Sequence, residues 1–263
     1  MHSNRTMDGN SIELKKPSFF WFLTEGGRAF VEWSTLIPYQ LIKKRSQKGD
    51  GHPVLVFPGF MASDTSTKPL RSFLDSIGYN SYGWDVGRNY GDPNTIEELT
   101  EMVEYLYRSH HKKVSIIGWS LGGIYARQVA KELPHITRQV ITLGSPFAGL
   151  DKPNNAVWIY NLLTGGKGIS QIDPDYLREI PQPAPIPTSA IYSKEDGVVP
   201  WQACLEIESE IHQNIRVRGS HFGLGVNPVV LQIIANRLQL SEKNWTKWAP
   251  KKDWAHSILY PHE

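Results

Sequence analysis

Residues 118–122 read GWSLG and lie between a strand pattern and a helix pattern. The run VSII, 114–117, is typical of a short buried strand, and residues 121–133 carry apolar side chains at helical spacing. A strand that turns directly into a helix strains the corner residue and projects its side chain, while the flanking glycines allow close packing. The corner residue is Ser120, at a helix amino terminus whose amides favour negative charge. Ser120 is therefore a candidate nucleophile; the alternative is an ordinary strand-to-helix turn.

A serine hydroxyl becomes a good nucleophile only with a base and an acid that orients the base, and after such a turn they follow in the order Asp or Glu, then His. Residues 186–192 predict a strand, and Asp196 lies in the loop that leaves it. An Asp followed by Gly is also a common turn dipeptide. Two other carboxylates compete with it: Glu195 is adjacent, and Asp151 follows the predicted strand 139–143. We expect Asp196 to be the acid.

The candidate base is His221. It lies in a loop between a predicted last strand, 214–217, and a helical pattern that opens at 227–228. The other eight of the nine histidines lie in the terminal segments, at a helix end, or at strand ends away from Ser120. The position after the last strand therefore favours His221 as the general base.

Two backbone amides are candidates for holding the negative oxygen of a tetrahedral intermediate. One is the N–H of Leu121, which follows the nucleophile. The other belongs to the loop PGFM, 58–61, after the first predicted strand, 53–57. The glycine in that loop allows a close turn that aims the amide of Phe60 at the site, with Met61 as the fallback donor. A simple Pro-Gly turn is the alternative.

Five motifs together resemble the α/β-hydrolases, and are most similar to those of compact bacterial lipases and esterases. They are PGF (58–60), GWSLGG (118–123), TLGSP (142–146), DGVVP (196–200) and GSH (219–221). The resemblance covers about 53–240, with the motifs in the family's order and spacing. It departs where many lipases have His-Gly before the oxyanion donor and this chain has Pro-Gly. Residues 1–50 and 241–263 carry none of these motifs. The resemblance implies an α/β-hydrolase fold and acyl chemistry on esters.

The order of predicted elements indicates an α/β fold. Strands alternate with helices, so we expect about six mainly parallel strands with helices on both faces of the sheet. Ligands of such sheets bind beyond the carboxyl ends of the strands, where the candidate residues were placed. With 263 residues, of which 40% are hydrophobic, the chain can bury one large core. We expect an N-terminal helical arm over 1–50 and a hydrolase domain over 51–263, with a small cap insertion over about 150–187.

The cap is predicted because regular periodicity breaks between 147 and 187. Short helices are expected over 151–164 and 175–179. Their apolar side chains would line an acyl pocket, and a small cap would favour short to medium acyl chains over long ones. The alternative interpretation is that this segment is a packed surface helix and does not cover the pocket. The apolar side chains expected to face the pocket are Trp158, Tyr160, Leu162 and Leu163.

Within the N-terminal arm, the segment 18–44 is rich in Phe, Trp, Leu and Ile, but Glu25, Arg28 and Glu32 recur on one helical face. The charges leave too short an apolar run to span a bilayer, and no signal-peptide pattern is present. Two readings stay open. The arm is a helix packed on the domain, or it lies in a membrane interface as a peripheral contact near lipid substrate.

Composition limits the partners and cofactors that we expect. A net charge of +2 does not indicate a protein that binds nucleic acid. The single cysteine, Cys204, excludes an internal disulfide and fits a reducing, cytoplasmic compartment. No nearby base is evident for Cys204, so we expect its side chain to be buried and to fill space in the core. No HExxH, paired CxxC, Walker loop or GxGxxG is present, so the sequence supports no metal and no cofactor.

These observations predict a serine hydrolase that acts on carboxylic esters of small molecules or lipids. Ser120 would attack the acyl carbon, His221 would move the proton, Asp196 would orient the imidazole, and the amides of Phe60 and Leu121 would hold the oxyanion. Acyl transfer to an alcohol or amine on the same fold is one alternative. A catalytically silent module that binds a lipid or a partner is another. The oligomeric state is not readable from the sequence.

Overall fold

The computed structural model describes residues 14–43, 49–148 and 174–250, with the main chain alone for 36–43 and 174. In the described chain, six parallel strands form one sheet in the order β2-β1-β3-β4-β5-β6. The strands are β1 (Pro53–Phe57), β2 (Asn80–Gly83), β3 (Val114–Trp119), β4 (Thr137–Leu143), β5 (Thr188–Ser193) and β6 (His212–Val217). The helices are α1 (Phe19–Lys43), α2 (Asp64–Ser76), α3 (Thr95–His110), α4 (Leu121–Glu132), α5 (Pro174–Glu179) and α6 (Pro228–Gln239). The predicted α/β class with about six parallel strands is confirmed.

Buried apolar layers cover both faces of the sheet because successive strand side chains point to opposite sides. In β1, Leu55 and Phe57 pack into the layer formed with α3 and α4, whereas Val54 and Val56 pack into the layer formed with α2 and α6. All five β1 residues are buried, as expected for a parallel sheet covered on both sides. The helices therefore fix the strands from both faces.

The strand order reverses direction next to β1, because β2 lies on one side of it and β3 on the other. Phe57 at the end of β1 is level with Gly118 near the end of β3. The loops that leave β1 and β3 therefore emerge side by side at the carboxyl edge of the sheet. This switch point is where open α/β sheets bind their ligands.

Only part of the predicted cap is described. Residues 174–187 contain the short helix α5, in agreement with the helix expected over 175–179. Trp158, Tyr160, Leu162 and Leu163, which were expected to line an acyl pocket, lie outside the described residues, as does Asp151.

Within the N-terminal arm, Phe19–Lys43 form one long helix, α1, whose inner side packs near the carboxyl edge of the sheet and against α6. Among the described helices, none has the length and apolarity that crossing a membrane would need.

Candidate active site

Ser120 occupies a strained corner between β3 and α4. Its backbone has φ 53° and ψ −123°, a left-handed conformation that costs a non-glycine residue about 1–3 kcal/mol. The Ser120 amide donates to the Leu143 carbonyl at 2.8 Å, which holds the corner against β4. Gly122 passes so close to β1 that a Cβ there would lie 2.5 Å from the Phe57 carbonyl oxygen. The strand-to-helix turn predicted from GWSLG is therefore present, and its geometry depends on glycine.

A chain of hydrogen bonds joins the three side chains predicted to act together. Ser120 Oγ lies 3.0 Å from Nε2 of His221, and Nδ1 of His221 lies 2.6 Å from Oδ2 of Asp196. The indole N–H of Trp119 donates to the His221 carbonyl at 3.0 Å and steadies the loop that carries the imidazole. All three side chains are buried, and they come from the ends of β3, β5 and β6.

The Asp196 carboxylate has partners for both oxygens. Oδ1 accepts the backbone amides of Val198 and Val199, each at 2.8 Å, and Oδ2 faces the imidazole. Burial alone lowers the pKa of His221, but the charge and hydrogen bond of Asp196, and then the charge of Glu25, raise that pKa above its ordinary value. The imidazole is thus a stronger base than a free histidine, and an imidazolium is stabilised where it forms.

The loop after β1 brings the Phe60 segment against Ser120, since a Cβ on Gly59 would lie 3.1 Å from the Ser120 Cβ. As the first residue of α4, Leu121 has an amide without an intrahelical acceptor. Within the described part of the chain, no hydrogen bond is donated by the amide of Phe60. The amide of Met61 donates to the Asn89 carbonyl at 2.7 Å, so the fallback donor is already engaged.

The competing carboxylate Glu195 has partners other than the imidazole. Its oxygens accept from Ser193 Oγ at 3.0 Å and pair with Arg216 at 3.6 Å. The other competing carboxylate, Asp151, lies outside the described residues.

A second Ser–His–Asp chain lies at the opposite edge of the sheet. His52 Nε2 lies 2.8 Å from Ser115 Oγ, and His52 Nδ1 lies 2.5 Å from Asp50 Oδ1. Ser115 and His52 have no exposed surface, and Asp50 is shared with Arg138. Burial and the Arg138 charge lower the pKa of His52 to about 4, despite Asp50. Because no substrate reaches this hydroxyl, the same three residue types serve only to join β1 to β3 here.

Cys204 is a buried free thiol. Burial, and then the charge of Asp196, raise its pKa well above the ordinary range, so the thiol stays protonated. The expectation that it fills space agrees with this environment.

A cavity of about 280 Å³ opens beside Ser120. Its lining combines the predicted site residues with apolar side chains: Gly59, Phe60, Ala62, Ser66, Trp119, Ser120, Val198, His221 and Phe222. Among the residues with described positions, no group of three or more His, Cys, Asp or Glu side chains could hold a metal ion.

Two sets of residues at the site were missed by the sequence analysis. Asn89, which is buried, donates its side-chain amide to the Pro58 carbonyl at 2.9 Å and its backbone N–H to the Ala62 carbonyl at 2.9 Å. Glu25 and Glu32 of α1 accept hydrogen bonds from the loops of Asp196 and His221. The only sequence feature that pointed to Glu25 and Glu32 was the charged face of the predicted helix.

The backbone is similar to solved structures of lipases and related hydrolases. Lipase B of Aspergillus fumigatus aligns with a TM-score of 0.56 and 17% identity over 80% of this chain, which spans 58% of the fungal enzyme's length. Lipase BlEst2 of Bacillus licheniformis aligns with a TM-score of 0.54 and 15% identity, covering 74% of this chain and 95% of that one. An alpha/beta superfamily hydrolase of Oenococcus oeni aligns with a TM-score of 0.52 and 16% identity, covering 73% and 94%.

No protein-family profile and no curated protein matches this sequence. The structural likenesses, at identities of 15–17%, therefore establish a shared fold.

Proposed function

We propose that this chain, whose fold is that of the α/β-hydrolases, is a serine hydrolase that cleaves carboxylic esters of small molecules or lipids. One observation carries the proposal: a strained serine at a helix amino terminus is hydrogen-bonded to a histidine, which is hydrogen-bonded to a buried aspartate. The second Ser–His–Asp chain lacks both the strained corner and access to substrate, which makes the contrast informative.

In the proposed reaction, Ser120 Oγ attacks the acyl carbon while its proton moves to Nε2 of His221. Asp196 accepts the Nδ1–H and stabilises the imidazolium. The negative oxygen that develops would be held by the amides of Phe60 and Leu121, a contribution that often exceeds any other in such sites. The imidazolium then protonates the leaving alcohol, and a water molecule repeats the sequence to release the acid.

The size of the cavity supports short to medium acyl chains. Its volume of about 280 Å³ lies just below the usual range for small-molecule sites, which is about 300 to 1,000 Å³. Each buried methylene contributes about 0.8 kcal/mol, so kcat/KM should rise about fourfold per methylene until the cavity is full and then fall.

The test is hydrolysis of p-nitrophenyl esters of increasing acyl length by the full-length protein. We expect Ser120→Ala and His221→Ala each to remove nearly all activity, with the double variant little worse than either, because residues that act as a unit are non-additive. Ser241→Ala, at an exposed serine outside the cavity, is the matched control. Near wild-type turnover by folded Ser120→Ala would refute the proposal.

Product analysis separates hydrolysis from acyl transfer. We expect the free acid to be the main product when a competing alcohol or amine is added in excess. Predominant transfer to that acceptor would reassign the reaction while leaving the roles of Ser120 and His221 in place.

A further inference from the structure

Glu25 of α1 joins the loop of the predicted acid to the loop of the predicted base. Its buried carboxylate accepts the amide of Gly197 at 3.1 Å through Oε2 and the amide of Phe222 at 3.0 Å through Oε1. Gly197 directly follows Asp196, and Phe222 directly follows His221. Arg28 pairs with the same carboxylate at 2.7 Å, so the buried charge is compensated.

Glu32, two helical turns further along α1, holds the other side of His221. Its Oε1 accepts the Ser220 amide and the Asn227 side-chain amide, each at 3.0 Å. Its Oε2 accepts the Ser220 hydroxyl. Because Ser220 directly precedes His221, α1 is bonded to the base loop on both sides of the imidazole.

The two loops leave room for α1 through glycines. A Cβ on Gly197 would lie 2.5 Å from the backbone carbonyl of Trp21, and a Cβ on Gly223 would overlap the Glu32 carboxylate. At Gly197 the backbone of the helix thus contacts the backbone of the loop, and at Gly223 the Glu32 carboxylate occupies the space that a side chain would need. A contact of this kind transmits small displacements directly to the residues beside it.

We propose that Glu25 and Glu32 are positioning residues, through which α1 aligns Asp196 and His221 with Ser120. Neither carboxylate lines the cavity beside Ser120. The inference rests on the proposed serine hydrolase function, and it makes the side of α1 that carries Glu25 and Glu32 a support for Asp196 and His221.

The test compares Glu25→Gln, Glu25→Ala and Glu32→Gln with the control Glu98→Gln, which removes an exposed carboxylate on α3. We expect kcat/KM to fall on the order of 100-fold in Glu25→Ala, mainly through kcat, since misplacement of reacting groups by about 1 Å has this effect. Glu25→Gln keeps the volume and one acceptor, so its loss should be smaller.

A pH profile separates positioning from a purely structural role. The charged groups around His221 are Asp196 and Glu25, with Arg28 paired to Glu25 and Glu32 bound at Ser220. Removing the negative charge of Glu25 should lower the pKa of His221, so the acid limb of kcat/KM should move to lower pH in both Glu25 variants. A lost stability contact alone would leave that limb unchanged.

Labelling of Ser120 by a fluorophosphonate separates the two proposals. A wild-type protein that is neither labelled nor active on esters would refute the proposed function. An active wild type whose folded Glu25→Ala and Glu25→Gln variants keep kcat/KM and the acid limb within twofold would refute the positioning role. A lower melting temperature with unchanged kcat would refute it as well.

The outer face of α1 carries a separate, independent feature. Phe19, Leu23 and Phe30 are 76%, 71% and 75% exposed. Their spacings of four and seven residues align them along the side of the helix opposite Glu25 and Glu32. Further large apolar side chains on this helix are exposed beside them: Phe20, Phe22, Val31 and Trp33. Continuous apolar surface of this kind marks an interaction site.

The charged residues in and around α1 favour an anionic lipid surface over a protein. Glu25 and Glu32 are the two acidic residues of α1, and both are turned inward. Lys15 and Lys16, just before the helix, are exposed, and the sequence continues after it with Lys44 and Arg45. Aromatic side chains flanked by cations are typical of helices that lie in a bilayer interface with anionic headgroups.

We infer that the outer face of α1 docks on an anionic bilayer and holds the mouth of the Ser120 cavity beside the lipid. Phe222 provides the continuity: it is 53% exposed, it lines the cavity, and its amide is bonded to Glu25 of the same helix.

Flotation with phosphatidylcholine vesicles, with or without phosphatidylglycerol, tests this docking. We expect binding to the anionic vesicles, weakened by salt and at least tenfold weaker in the triple variant Phe19→Ser/Leu23→Ser/Phe30→Ser. Tyr105→Ser, which removes a 66% exposed aromatic from α3, should bind like wild type. Hydrolysis of soluble esters should be unchanged in the triple variant.

Equal vesicle binding by the triple variant and wild type would refute the docking. A wild-type protein that binds neither kind of vesicle and forms a dimer that dissociates in the triple variant would also refute the docking, because the face would then be covered by a second copy.

Discussion

Among single residues, His221 shows how opposing effects set the strength of a buried base. Burial disfavours the imidazolium, yet the adjacent Asp196 and the more distant Glu25 outweigh it and raise the pKa. In the proposed reaction a protonated imidazole cannot accept the Ser120 proton, so ester hydrolysis should be lost as pH falls through this pKa. The acid limb of kcat/KM should therefore lie above the ordinary histidine value of about 6.5.

The same shift links pH to folding. Because the folded-state pKa of His221 is raised, its stabilising contribution is full below the unfolded value and is lost as pH rises through the folded value. Activity and this part of stability thus change in opposite directions across one pH range.

Asp196→Asn should lower kcat by about ten-thousand-fold and move the acid limb to lower pH, because the largest influence that raises the His221 pKa is removed. The neighbouring Glu195→Gln is the matched control, since its carboxylate bonds to Ser193 and Arg216 instead. The measurement is a pH series of ester hydrolysis. A larger loss in Glu195→Gln, or in Asp151→Asn, would reassign the acid.

Among the elements, the loop after β1 depends on a residue from the loop after β2. Asn89 bonds to three successive parts of the first loop, at Pro58, Met61 and Ala62. These contacts hold the segment that contains Phe60 beside Ser120. The amide of Phe60, the proposed oxyanion donor in this loop, is therefore positioned by a neighbouring loop as well as by its own turn.

Asn89→Ala should lower kcat by between about 10- and 100-fold with a smaller change in KM, because the proposed oxyanion donor, the amide of Phe60, loses alignment. It also leaves the buried Pro58 carbonyl without its 2.9 Å partner, at a cost of about 1–3 kcal/mol in unfolding free energy. Steady-state kinetics and urea unfolding measure the two effects. Asn94→Ala, at an exposed asparagine, is the control; equal kinetics for both variants would contradict the prediction.

The sequence could predict those features of the site that depend on local patterns, and could not predict contacts between residues that are far apart in the chain. The turn at Ser120 and the loops of Asp196 and His221 were predictable because strand and helix periodicities are local. The contacts of Glu25 were not, because its partners Gly197 and Phe222 lie 172 and 197 positions away and no pattern marks such a pairing. Asn89 was missed for the same reason.

In the whole molecule, α4 connects Ser120 to the chain segments that precede and follow β5. The helix begins directly after Ser120, and its Arg127 is fully buried and paired with Glu206. The guanidinium also donates to the Gln182 carbonyl at 2.8 Å and lies 3.8 Å from the Phe147 ring centre. Burial lowers the pKa of Arg127 to about 9, so its charge persists at neutral pH.

Arg127→Met should reduce the unfolding free energy by about 3–5 kcal/mol, because it leaves Glu206 as an uncompensated buried charge. The double variant Arg127→Met/Glu206→Leu removes that charge and should recover much of the loss. Recovery should stay incomplete, since the Gln182 carbonyl still lacks its donor.

Urea unfolding of both variants provides the measurement, with Arg108→Met as the control. Arg108 and Glu104 form an exposed pair on α3, which should contribute no more than about 1 kcal/mol. The folded fraction of each variant should keep its kcat, because Arg127 contacts neither the cavity nor the imidazole. A double variant no more stable than Arg127→Met would show that the donated hydrogen bonds, rather than the charge pair, anchor α4.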